Sequence, residues 1–271
     1  MDAQSRVKLD DGNAIPWLGL GVWQASPRET YAAVRKAIEI GYRHIDTAMI
    51  YGNEADVGRA VRESGVPREQ LFVTTKLWNS DHGYEQAKRA LDTSLKTLGL
   101  DYVDLYLIHW PEQKRLASWR ALIDARASGK CRSIGVSNFT VAHLDELAKK
   151  SDVVPAVNQV EMHPFLFQRD LVARCERAKI RVEAYSPLTR GRRLDHPTIA
   201  AVAKKLGRTP AQILIRWGIQ HGFVVLPKSV HEARIRENAN VFDFEIPADE
   251  MTRLDALDEG ARFCWDPTGV D

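Results

Sequence analysis

Cysteine is scarce in this chain. Cys131, Cys175 and Cys264 are odd in number, widely separated and in no CxxC pair, which excludes a disulfide framework and a zinc site and fits a reducing cytoplasm. No apolar run approaches the roughly 18 residues needed to cross a bilayer, so no membrane partner is expected. The start, Met1 to Arg6, lacks the basic, apolar and small-residue segments of a signal peptide, so secretion is not expected. Charge of either sign is not in excess: 38 basic against 36 acidic residues leave a net +2, too little for nucleic acid as the main partner. A glycine-rich strand-to-helix turn of the dinucleotide type is also missing. Leu18-Gly19-Leu20-Gly21 comes closest, but it lacks the third glycine and the acidic partner. There is no linker, low-complexity segment or internal repeat beyond the βα unit.

What is present is an alternation of short apolar runs and helical segments. At 271 residues, 44% apolar and 27% charged, the chain suits one large soluble domain spanning residues 1–271. Asp11-Gly12-Asn13 marks a hairpin turn near the N-terminus. Eight strands are then expected near 18–22, 42–46, 71–76, 102–108, 131–136, 155–160, 180–185 and 223–226. Helices are expected near 27–40, 54–64, 84–98, 116–128, 140–149, 168–178, 196–206 and 209–221, with another from 231 and a final surface helix after Asp249. Asn53 with Asp56 resembles a capping box, and Thr209-Pro210 pairs an N-cap with proline at the first helical position. Strands too apolar to expose either face point to α/β architecture as a closed (β/α)8 TIM barrel, with the N-terminal β-hairpin closing its bottom. An open doubly wound sheet is the rival.

In a barrel the C-terminal strand ends form the mouth where active sites sit. Three runs bring Asp46, Lys76 and His109 there, and Tyr51 follows Asp46 by five positions. Each has an ordinary structural reading: a turn or cap for Asp46, a solvated lysine for Lys76, a hydrogen-bonded histidine for His109, rim packing for Tyr51. Together they complement one another chemically. A phenol with a reference pKa of about 10 is a poor acid at neutral pH. An ammonium beside it is expected to lower that value, while a carboxylate keeps the ammonium charged. A neutral histidine can donate to a carbonyl oxygen. Such a set polarises and protonates a carbonyl but supplies no electrons, so a hydride donor is required.

Here the chain resembles the aldo-keto reductases. The matching segments are Gly41-Tyr42-Arg43-His44-Ile45-Asp46-Thr47-Ala48, Tyr51-Gly52-Asn53-Glu54, Thr75-Lys76-Leu77-Trp78-Asn79 and Asp104 through His109-Trp110-Pro111. They continue with Ile134-Gly135-Val136-Ser137-Asn138-Phe139, Asn158-Gln159-Val160-Glu161-Met162-His163-Pro164 and Lys228-Ser229-Val230. The short tail and the settings of Trp78 and Trp110 look most like microbial 2,5-diketo-D-gluconate reductases. The resemblance implies an enzyme, an NADPH-dependent (NADPH/NADP+) carbonyl reductase with Asp46, Tyr51, Lys76 and His109 catalytic and Tyr51 as proton donor. It assigns the nicotinamide carboxamide to Ser137, Asn138 and Gln159, with Tyr185 stacking on the ring. Gly21, Val22, Trp23, Ser186, Pro187 and Leu188 would complete that contact. Lys228, Ser229 and Arg234 would hold the 2'-phosphate, with Val230, Glu237 and Asn238 nearby for the adenosine end. Without the resemblance, Ser137 or Asn138 reads as a helix cap, Tyr185 as core, and Arg234 with Glu237 as an exposed helix pair. No metal is implied.

Trp23, Trp78 and Trp110 lie just past three strands and would wall an apolar cleft around His109, the expected substrate side. Only about four residues separate Pro111 from the next helix, which leaves the mouth open there. Arg190, Arg192 and Arg193 read chiefly as surface charges, with the cofactor pyrophosphate as an alternative. The tail with Phe263, Cys264 and Trp265 is within reach of the cleft but has no assigned place. The expected partner is a small-molecule carbonyl compound acting on a monomer. Two rivals stand: a Schiff-base aldolase using Lys76, and a cofactor-sensing subunit with the same fold and negligible turnover.

Overall fold

The computed structural model describes Asp2 and residues 4–270; Met1, Ala3 and Asp271, which the sequence reading included in its domain, lie outside them. An antiparallel hairpin, β1 (Arg6–Lys8) and β2 (Ala14–Pro16), precedes eight parallel strands. These are β3 (Leu20–Gly21), β4 (His44–Asp46), β5 (Phe72–Leu77), β6 (Val103–Ile108), β7 (Cys131–Ser137), β8 (Val157–Glu161), β9 (Arg181–Tyr185) and β10 (Val224–Leu226). They lie side by side in chain order. Bridges Leu18 to Val225 and Gly21 to Lys228 join the two ends, with Gly21 N donating to Pro227 O at 3.1 Å, so the sheet closes into the expected (β/α)8 barrel.

Ten helices surround it: α1 (Pro27–Ile40), α2 (Glu54–Arg62), α3 (Tyr84–Leu98), α4 (Arg115–Ala127), α5 (Val141–Lys150), α6 (Arg169–Arg177), α7 (Pro197–Leu206), α8 (Pro210–Gln220), α9 (Glu232–Ala239) and α10 (Ala248–Asp255). The expected Thr209 cap is present: its side chain accepts from Gln212 N, and Gln212 returns the bond to the Thr209 backbone. The Asn53 box is not. Asn53 is fully buried and makes no cap bond; its amide donates to Val22 O at 3.0 Å and its oxygen accepts from Thr47 Oγ1 at 2.7 Å. Burial beneath the mouth redirected a residue whose local pattern read as a cap. Where α2 passes α3, Gly58 lies so close that a Cβ would fall 1.8 Å from Leu98 O, so only glycine fits.

The two-residue period of the strands sorts their side chains. Val73, Tyr106, Ile134, Val182 and Ala184 join the large core under the helices, while Phe72, Leu105, Leu107, Val157 and Val224 fill the barrel interior. Leu9 and Ile15 from the hairpin pack on that inner cluster and close the N-terminal end. Toward the opposite end the interior turns polar, through His44, Thr74 and Glu183 to Asp46, Lys76 and Gln159. No described helix is long and apolar enough to cross a membrane.

Candidate active site

Asp46 ends β4 and Lys76 sits one residue before the end of β5, so both point into the mouth. Lys76 is fully buried. Its ammonium donates to Asp46 Oδ1 at 2.6 Å and to Thr47 O at 2.8 Å, which keeps the pair from facing each other as isolated charges. Tyr51 closes a short 3-10 turn, Met49–Tyr51, that follows β4. Lys76 Nζ stands 5.2 Å from the centre of its ring, and His109 packs edge-on against that ring at 5.7 Å. The structure thus brings the four residues together, with Lys76 behind the cleft wall and Asp46, Tyr51 and His109 lining it.

Their electrostatics differ from the expectation in one respect. Burial, followed by the Asp46 carboxylate, holds the Tyr51 phenol well above its ordinary range despite the ammonium beside its ring. Lys76 is committed to Asp46 and Thr47 and lies by the ring face. The phenol therefore stays loaded with its proton. His109 is held well below the usual imidazole range by burial and then by the Lys76 charge, so it is neutral. Its Nδ1 is buried without a hydrogen-bond partner among the described residues. A buried orphan N–H is rarer than an unused acceptor, which puts the proton on Nε2 and makes that nitrogen a donor toward the cleft.

A cleft of about 1310 Å³ runs from these residues across the mouth. At its inner end Ser137 Oγ donates to Gln159 O at 2.8 Å, and Asn138 Nδ2 donates to His109 O at 2.9 Å. Tyr185 donates to Asn138 Oδ1 at 2.8 Å, which fixes its ring at the cleft wall. Ser137, Asn138, Gln159, Tyr185, Ser186, Pro187, Leu188, Gly21 and Trp23 all line the cleft. Val22 and Val230 do not: Val22 belongs to the core and Val230 packs against it. Backbone φ is positive at the cleft-lining Gln24 (56°), Asn138 (62°), Ser186 (49°) and Arg190 (54°), strain of the kind that collects where a site is held in shape.

The other end of the cleft is cationic. Lys228 and Ser229, just before α9, and Arg234, Glu237 and Asn238 along it line this part; the N-cap His231 makes no side-chain cap bond. Lys228 and Arg234 are exposed, and neither has an ion-pair or side-chain hydrogen-bond partner among the described residues. Glu237 does not pair with Arg234; it accepts from the Thr209 hydroxyl, so the exposed helix pair is absent. Two exposed cations and the N-terminus of α9 form a donor set that fits an anion such as a phosphate, next to Ser229, whose hydroxyl donates to His231 O at 3.4 Å and accepts from His231 N at 3.1 Å.

Trp23, Trp78 and Trp110 line the cleft beside His109, with the Trp78 and His109 ring centres 5.3 Å apart. A fourth wall comes from the tail, which the sequence set within reach of the cleft without assigning it a place. The tail turns back over the mouth and places Phe263, Cys264 and Trp265 along the cleft, Trp265 packing on Trp110 at 5.6 Å. Buried Glu161 holds it, accepting from Phe263 N at 2.8 Å and Cys264 N at 3.2 Å. The arginines after β9 serve that strap and the rim: Arg190 lies over the Trp23 ring at 4.7 Å and Arg193 pairs with Glu259 at 2.7 Å. The aromatic content of the tail was the only local signal. Glu183 was missed, although the alternation that turns Tyr185 inward also turns residue 183 inward.

Known proteins resemble this chain in sequence and in fold. Residues 17–259 match the Aldo/keto reductase family. A glyoxal reductase from Bacillus subtilis is 49% identical over 263 residues, 96% of this chain and 95% of that protein. Methylglyoxal reductase DkgA from Yersinia pestis is 49% identical over 272 residues, 98% of each. The crystal structure of an aldo-keto reductase from Bombyx mori in complex with NADP matches at TM-score 0.92 and 41% identity, over 96% of this chain and 94% of that one. By its sequence and by its barrel, the chain belongs to the aldo/keto reductase family.

Proposed function

We propose that the protein is an NADPH-dependent oxidoreductase that reduces small aldehydes and ketones to alcohols. One observation carries this: a buried acid, donor and ion-pair cluster and a pair of cations without ion-pair partners among the described residues line a single cleft. NADPH supplies hydride to the carbonyl carbon when bound. Lys228, Ser229 and Arg234 would hold its 2'-phosphate, and Gln159 with Ser137 and Asn138 its carboxamide. Each charged hydrogen bond to phosphate contributes about 1.5 to 3 kcal/mol, so two such bonds favour NADPH over NADH roughly a hundredfold or more.

His109 Nε2–H orients the carbonyl oxygen toward Tyr51 and stabilises the charge that develops on it. Tyr51 delivers the proton, and the nearby Lys76 ammonium stabilises the phenolate left behind. Asp46 and Thr47 O hold that ammonium in place. Indole walls from Trp23, Trp78, Trp110 and Trp265 exclude water and favour substrates with an apolar flank. The commitment of Lys76 to Asp46 disfavours the aldolase reading, which needs a neutral nucleophilic amine. We read it as a monomer acting as one domain, and its free cysteines suit a reducing cytoplasm.

The substrates that the relatives' names suggest are α-oxoaldehydes, glyoxal and methylglyoxal. The finer likeness to 2,5-diketo-D-gluconate reductases makes keto sugar acids the second arm of the assay. NADPH oxidation is followed with both classes, in wild type and in Tyr51→Phe. The variant should lose about 100-fold or more in kcat and keep its NADP+ affinity. Unchanged turnover refutes the proton-donor assignment, and absence of turnover on every carbonyl in the wild type leaves the cofactor-sensing subunit as the better reading.

A further inference from the structure

Glu183 is fully buried inside the barrel, and none of the chemistry above uses it. Its place follows from β9: Val182 and Ala184 join the outer core, Tyr185 reaches the mouth, and Glu183 points inward one layer below. Burying a carboxyl is costly unless it meets a partner. The register sets Glu183 opposite Gln159 on β8. Gln159 Nε2 donates to Glu183 Oε2 at 2.7 Å and to Asp46 Oδ2 at 2.8 Å. An amide nitrogen carries two hydrogens, and both are now committed. Turning the amide over would set its oxygen against the Asp46 carboxylate, which has no hydrogen to give. The orientation is therefore fixed, and the Gln159 oxygen has no partner among the described residues on a side chain that lines the cleft.

We propose that Glu183 is a positioning residue: with Asp46 it locks the Gln159 amide so that an oxygen acceptor, and not an N–H donor, faces the cofactor's carboxamide. The proposal rests on reading the cleft as a nicotinamide nucleotide site. The carboxamide nitrogen of such a ligand is a donor, and a reversed Gln159 would meet it N–H to N–H. The groups facing Glu183 allow the lock. His44 and Asp46 come from β4, Thr74 and Lys76 from β5, Gln159 from β8; His44 Nε2 lies 3.7 Å from Glu183 Oε1. Burial pushes His44 down to about 3, so it is neutral. Burial, then the Asp46 charge, lifts Glu183 to about 8, so the two carboxyl groups that share one amide are not both charged at neutral pH.

Tryptophan fluorescence at pH 7 tests this, titrating NADP+ and, separately, 2',5'-ADP, which lacks the nicotinamide. Glu183→Leu should bind NADP+ about tenfold more weakly and 2',5'-ADP as the wild type does. Glu183→Gln, whose oxygen can still accept from Gln159, should restore NADP+ affinity to within about twofold. Unaltered NADP+ binding in Glu183→Leu, a parallel loss of both ligands, or failure of Glu183→Gln to rescue overturns the proposal. A wild type that binds neither ligand overturns the cofactor reading itself. A readout independent of the variants' folding is the wild-type Gln159 side-chain amide by NMR, assigned through Gln159→Leu. Both of its hydrogens should be protected from solvent exchange, and rapid exchange overturns the lock.

Discussion

Replacing Lys76 with Met leaves the length of the side chain nearly unchanged and removes its charge. In the wild type the ammonium is fully buried and held by Asp46 Oδ1 at 2.6 Å and Thr47 O at 2.8 Å. The variant strands a carboxylate that is itself 4% exposed, with Gln159 as its remaining side-chain donor. Breaking a buried pair from one side costs about 3 to 5 kcal/mol, most of it the burden of the unpaired charge. A chain of 271 residues unfolds with an entropy of about 0.57 kcal/mol/K, so Tm should fall by about 5 to 9 °C. The double variant Asp46→Asn with Lys76→Met removes both charges, keeps an acceptor for Gln159, and should recover most of the loss. Urea unfolding of wild type, both single variants and the double variant completes the cycle. A Lys76→Met loss below about 1 kcal/mol would refute the reading, because an exposed pair is worth no more than that. So would a double variant no more stable than Lys76→Met alone. Both variants should also lose about 100-fold or more in kcat, since neither can stabilise a Tyr51 phenolate.

Two further outcomes are expected. Arg234→Ala should weaken NADPH by about tenfold or more and leave NADH nearly unchanged, and equal effects on the two cofactors would remove the phosphate site from α9. Glu183, whose folded value of about 8 stands above the ordinary 4.5, should give a stability term fully present below pH 4.5 and lost as pH rises to about 8. Glu183→Gln lacks that term, so it should gain on wild type by about 1.4 kcal/mol per pH unit across that window, and parallel curves from pH 5 to 8 in chemical unfolding would contradict it.

The strand runs were legible because inward and outward side chains alternate and both environments of a barrel strand are largely apolar. Asp46, Lys76 and His109 were legible as interruptions of those runs at their C-terminal ends. The same alternation places Glu183, but a single acidic residue in Arg181-Val182-Glu183-Ala184-Tyr185 reads locally as a solvent-facing position. Asn53 misled for a related reason: its local spacing to Asp56 was that of a cap, and its actual partners, Val22 and Thr47, come from other parts of the chain. The tail strap depends on Glu161, about 100 positions away from the backbone it holds, which no local pattern encodes.

The sequence by itself pointed to the barrel, to the four polar side chains at its mouth and to the family, because periodicity and residue type are local properties of the chain. Tertiary structure alone decided their states. It set Lys76 on Asp46 rather than on the phenol, kept Tyr51 protonated and His109 neutral, left Lys228 and Arg234 unpaired, and turned the Gln159 amide by placing carboxyl groups from β4 and β9 on either side of it. Charge state and hydrogen-bond direction depend on burial and on neighbours from distant strands, and those exist only once the barrel has closed.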